Sequence, residues 1–136
     1  MNLARQRQRL ARLVRIRERQ RDLAAASVAA TSRAYAEAQY EHELAIRAIA
    51  ELAPGSEIAP WELERLGDVV DHTHGRIQVA AERLHERRAE LRETAVATER
   101  AKLLLARVER DVASHVRRVE QREADDRHRR TLGGLS

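Results

Sequence analysis

Counting by sevens from Leu63 gives Val70, Ile77, Leu84, Leu91, Thr98, Leu105, Val112 and Val119, an apolar line broken only by one threonine. Three residues further on stand Leu66, Thr73, Ala80, Arg87, Thr94, Ala101, Val108 and His115, which complete an a/d pattern over eight heptads. A repeat averaging 3.5 residues and sustained this long predicts a helix packed along a coiled-coil seam. The first half of the chain carries a weaker series: Leu13, Ile16, Gln20, Leu23, Ser27, Ala30, Ala34, Glu37, Glu41, Leu44 and Ala48. Ala24, Ala38, Ala45 and Leu52 widen it, and near Glu37 and Glu41 the contact face is expected to drift toward Ala34, Ala38 and Ala45. Small residues there let two backbones approach closely while burying little area per residue.

Between the two patterns lies Ala53-Pro54-Gly55-Ser56-Glu57-Ile58-Ala59-Pro60, with both prolines and the first glycine of the chain. Pro54 cannot continue a helix, Gly55 tolerates positive φ, Ser56 can cap, and Pro60 suits only a first helical turn. The expected organisation is a single unit over 1–136: helix 2–53, turn 54–59, helix 60–130 and tail 131–136, closed by Gly133-Gly134. Gly67 and Gly75, each worth about 1 kcal/mol against Ala, mark the softest part of the second helix. The fold class is therefore all-α: two long helices in an antiparallel coiled-coil hairpin, the C-terminal one longer. Their lengths are roughly 75 Å and 105 Å at 1.5 Å per residue. Folding back at the turn brings Leu3 near Arg110 and leaves the chain from about Val112 without an internal partner. Val112, Val116 and Val119 nevertheless continue the apolar stripe, which predicts a second chain there.

Composition agrees with thin, solvent-washed helices. There is no Phe, one Trp and two Tyr, while 35% of the residues are charged, so a thick core is excluded. The lack of Cys removes a disulfide framework or thiolate metal site and suits a reducing cytosol. No apolar stretch is long enough to span a bilayer. The net charge of +4 conceals an uneven distribution. Residues 1–21 hold eight Arg against Glu18, whereas 22–60 hold six acids against Arg33 and Arg47. The basic start favours docking on an acidic protein surface, nucleic acid or anionic lipid. The competing explanation is a solvated helix in a chain that uses 25 Arg against one Lys. A mitochondrial presequence fits poorly, because the helical pattern continues without a processing-like break.

The chain shows no catalytic constellation. Glu82 and His85 have the Glu-x-x-His spacing of di-iron bundles, but Leu84 takes the seam and puts both on the outside. Asp71 with His74 and Asp125 with His128 lie far along the same helix, and His72 and His74 point to different sides. A seam histidine such as His115 could report on pH. No phosphate-cradling glycine loop or nucleophile with its base is present, so the expectation is no enzyme, no metal and no cofactor. Arg5, Arg7, Arg9, Arg12, Arg15, Arg17, Arg19 and Arg21 spread around the helix and lead into an Ala-rich arm, unlike a DNA-reading basic region. Tyr35, Tyr40 and Trp61 are too scattered to stack single-stranded bases, so no specific nucleic acid is expected.

Several segments together are similar to the FliJ/YscO family, the coiled-coil stalk proteins of flagellar and injectisome type III export. They are Leu10-Ala11-Arg12-Leu13-Val14-Arg15-Ile16-Arg17-Glu18, the Pro-Gly turn followed by Trp61, the long heptad helix, and Arg118-Val119-Glu120-Gln121-Arg122-Glu123-Ala124-Asp125-Asp126. The resemblance covers nearly the whole chain and is architectural. It implies a cytoplasmic hairpin, peripheral at most to the inner-membrane export apparatus, whose paired ends enter the pore of a hexameric export ATPase. It also implies contacts with the membrane export gate and with export chaperones. Arg5, Arg9, Arg12, Arg15 and Arg19 are the residues expected to dock electrostatically. Val112, Val116, Arg117, Arg118, Val119, Arg122 and Glu123 are expected to bind the partner from the overhang. The rival readings are a homodimeric scaffold coiled coil whose overhangs pair, and a basic coiled coil associated with nucleic acid.

Overall fold

Residues 2–52 and 57–134 are described by a computed structural model; they form two α-helices and, among them, no strand. Helix α1 spans Leu3–Ala50 and α2 spans Pro60–Gly133. Asn2 stands at the N-cap of α1, its carbonyl accepting from the Gln6 amide at 2.8 Å. Beyond Ala50 the turn tightens, the Leu52 amide reaching the Ile49 carbonyl at 3.1 Å in a 3₁₀-type bond. The expected turn residues Pro54 and Gly55 and the candidate cap Ser56 lie outside the described residues. Ala59 opens α2: its carbonyl accepts from the Glu62 amide at 2.9 Å and the Leu63 amide at 3.3 Å. Pro60 occupies the first helical position, where its missing N–H costs nothing, and Glu62 complements the dipole of the first turn. The helix passes through Gly67 and Gly75 without interruption, and a Cβ at either would meet no atom within 4 Å. At its far end the Gly134 amide bonds back to the Arg130 carbonyl at 3.0 Å.

The chain divides into two compact units, Gln20–Thr94 and Met1–Arg19 with Ala95–Ser136. In the first, here the hairpin unit, Glu41 pairs with Arg76 while His42 meets Thr73, so advancing along α1 means retreating along α2. The two helices therefore pack antiparallel as a helical hairpin. In the second, the terminal unit, the beginning of α1 lies along the later part of α2. Thr98 Oγ1 donates to the Arg17 carbonyl at 3.1 Å, and Lys102 Nζ stands 3.8 Å from Glu18 Oε1 and 3.7 Å from Glu99 Oε1.

The seam of α2 follows the heptads. Buried Thr73, Leu84, Thr98 and Ala101 all fall on it, and so do half-buried Leu66, Val70, Ile77, Ala80, Leu91, Thr94, Leu105, Val108 and Val112. Leu63, Arg87, His115 and Val119 belong to the same series by spacing but are exposed.

On α1 the expected Ala24, Ala38 and Ala45 face inward and Leu13, Ser27, Glu41 and Ala48 are half-buried, but the centre of the seam lies about one residue beyond the expected series. Its inward positions are Leu10, Val14, Arg17, Arg21, Ala24, Val28, Thr31, Tyr35, Ala38, His42, Ala45 and Ile49. The expected Ile16, Gln20, Leu23, Ala30, Ala34, Glu37 and Leu44 are exposed instead. Packing explains the choice. Ala24, Ala38 and Ala45 are small enough for the two backbones to close in, and Arg17 and Arg21 are half-buried on the same face. Leu23, at 63% exposure, then contributes nothing to the core. Leu23→Ala should accordingly change unfolding free energy by less than about 0.5 kcal/mol; a urea midpoint shifted by much more would favour a seam through Leu23.

Candidate functional site

The terminal unit contains every residue that the sequence singles out for docking. Along α1, Arg5, Arg9, Arg12, Arg15 and Arg19 are all exposed, and Arg5 and Arg9 border a shallow recess with Asn2 and Gln6. Of these side chains none has a carboxylate within ion-pair distance among the described residues, so their charge faces solvent. The acid nearest in sequence, Glu18, is engaged by Lys102.

Along α2 the seam changes character within one turn. Val112 is its last half-buried apolar position, so this residue belongs to the paired region and the unpaired stretch starts about three residues later than the heptads suggest. From His115 to Gly133 the backbone stays helical and every residue is exposed, including Val116, Arg117, Arg118, Val119, Arg122 and Glu123. A helix without tertiary support must hold itself together locally. Here Gln121 Nε2 donates to Asp125 Oδ1 at 3.1 Å, Arg127 Nε to the Glu123 carbonyl at 3.3 Å, and Thr131 Oγ1 to the Arg127 carbonyl at 2.9 Å. All three connect residues four apart, and the Gln121–Asp125 pair is of the side-chain type that stabilises an isolated helix. Val116 and Val119 remain 47% and 38% exposed on this stretch. The arrangement offers a partner apolar side chains framed by charges of both signs.

A buried hydroxyl joins the two helices in this unit. Thr98 is fully buried, and its bond to the Arg17 carbonyl ties the two helices immediately beside the basic segment. Lys102, the chain's only lysine, bridges acids from both helices one turn on.

The hairpin unit holds a polar cluster that residue spacing does not reveal. Thr73 Oγ1 donates to the Val70 carbonyl at 3.0 Å and lies 2.9 Å from His42 Nδ1, an arrangement satisfied when Nδ1–H donates to the hydroxyl. The His42 and His74 ring centroids are 5.7 Å apart, and Arg76 pairs with Glu41 alongside. These partners are more than thirty residues apart in sequence. The one signal for it in the sequence is that His42 occupies a heptad position once the α1 seam is shifted. Among the described residues no group of three or more His, Asp or Glu side chains stands close enough to hold a metal ion. Nor is any helix among them long and apolar enough to cross a membrane. No protein-family model, curated protein or solved structure matches the chain.

Proposed function

We propose that this chain is a non-enzymatic stalk accessory of a flagellar or injectisome type III export ATPase. In this reading it works in the cytoplasm beside the inner-membrane export apparatus, where the hairpin unit faces the export gate and export chaperones. The terminal unit docks on the hexameric ATPase and promotes hydrolysis and export. One observation carries the reading: α2 stays helical through His115–Gly133 with no residue buried, in the same unit as the Arg-rich start of α1. An exposed charged helix in the same unit as the exposed Arg5, Arg9, Arg12, Arg15 and Arg19 is suited to insertion between subunits of a ring. There, desolvation by the partner strengthens ion pairs that are weak in water.

The test is hydrolysis by the host's export ATPase at limiting enzyme concentration, with and without this protein. Saturable stimulation is expected. Replacing Arg117, Arg118 and Arg122 together by Glu should abolish it, and reversing Arg5, Arg9, Arg12, Arg15 and Arg19 should weaken co-elution by about tenfold or more without loss of helicity. An ATPase confirmed to form hexamers that neither responds to the protein nor co-elutes with it would remove the proposal. The exposure of Val116 and Val119 beyond the paired seam supports the second reading, a homodimer joined by its overhangs. That form predicts a dimer mass lost in Val116→Asp/Val119→Asp.

A further inference from the structure

The two units carry opposite charge. Residues 1–19 with 95–136 hold 17 Arg and Lys against 8 Asp and Glu, whereas 20–94 hold 9 against 14, so their net charges are +9 and −5. Each also displays large apolar side chains that the helix pairing does not use.

In the terminal unit these are Leu103 and Leu104, 68% and 51% exposed. Ala101, at 3%, faces α1; Leu103, two residues on, looks away from that seam, and Leu104, three on, flanks it. Arg100, Arg107 and Arg110 line an open groove with the two leucines. Lys102 on the same turn has Glu18 and Glu99, but among the described residues these three arginines have no carboxylate within ion-pair distance. In the hairpin unit the matching patch is the first two turns of α2. Trp61 and Leu63, two apart and so on different sides of the helix, are 62% and 54% exposed there, with Glu62 and Glu64 in the same turns, Glu57 just before them, Asp68 just after, and Arg65 the single base. None of these acids is ion-paired among the described residues. Trp61 shares a recess with Glu62 and Arg65, and residues 57–68 as a whole hold four acids against one base, opposite in sign to the guanidinium groups that line the Leu103–Leu104 groove. Trp is moreover the residue type that most often dominates an interface, and Arg stacks on it favourably.

We propose that the Trp61 end of one copy docks in the Leu103–Leu104 groove of a second copy. The occupant is another copy because both halves of the contact are on one chain and their charges are opposite. Two reciprocal contacts close a dimer about a two-fold axis; a single contact per pair builds an open chain. None of the residues involved belongs to the set proposed to dock on the ATPase, so this self-association stands or falls separately from that function.

The experiment is sedimentation of the full chain from about 1 to 100 µM, at about 20 mM and about 300 mM salt, where the Debye length falls from about 20 Å to about 6 Å. Mass should rise with concentration at low salt and fall toward monomer at high salt. Trp61→Ala and Leu104→Asp should each weaken association by about tenfold or more with circular dichroism unchanged, since both positions are exposed. Mixing the two variants should restore heavier species, because one of the two contacts is intact in the mixed pair. A monomer mass throughout would overturn the proposal. So would wild-type association in either variant, or a mixture no heavier than its components.

Discussion

Thr98→Asp is expected to destabilise the terminal unit by about 3 kcal/mol or more, among the largest effects of any single substitution in the chain. Thr98 has no exposed surface, and its hydroxyl donates to the Arg17 carbonyl at 3.1 Å. A carboxylate there replaces a donor by an acceptor, directs it at another acceptor, and has a side chain too short to reach water as an arginine stem can. Thr98→Val separates the two contributions: it preserves shape and removes the hydroxyl, at a cost of about 1 kcal/mol. Urea unfolding followed by circular dichroism reads both. Equal midpoints for Thr98→Asp and wild type would mean that the two helices are not tied at this point.

In the hairpin unit the corresponding position is Leu84. It is 6% exposed and is the largest of the buried apolar residues, the others being Val14, Ala38, Ala45 and Ala101. Leu84→Ala should lower stability by about 2–3 kcal/mol, toward the lower end of the usual range, since a two-helix seam can relax around the lost methyl groups. Against a total of about 5–15 kcal/mol for an ordinary domain, that is a large fraction. The same urea experiment checks it, and a loss no greater than that of Leu23→Ala would show that Leu84 does not anchor the packing.

How much of the fold is legible in the sequence differs between the two helices. On α2 the largest apolar residues and the packed positions coincide, so the heptads locate the seam from Leu66 to Val112. On α1 they diverge. Ile16, Leu23 and Leu44 are exposed although more hydrophobic than the inward Ala24, Ala38 and Ala45, which the sequence places only at the margin of the stripe; small residues let the backbones approach. Hydrophobicity summed along one helix cannot show what the opposite helix has room for. The exposed end of α2 is legible from the unequal helix lengths, although it begins beyond Val112, where the last half-buried apolar side chain of α2 is found. The His42–Thr73 cluster is not, because nothing local connects residues 31 positions apart.

The make-up of the seam also determines how the fold responds to temperature. Ala38, Ala45, Ala101, Thr73 and Thr98 account for most of the buried positions, so unfolding newly hydrates little hydrocarbon per residue. The heat-capacity increment should then fall below the usual figure of about 12–15 cal/mol/K per residue. A small increment flattens the stability curve: melting is broad and strongly dependent on enthalpy, while cooling removes little of the driving force that holds the two helices together.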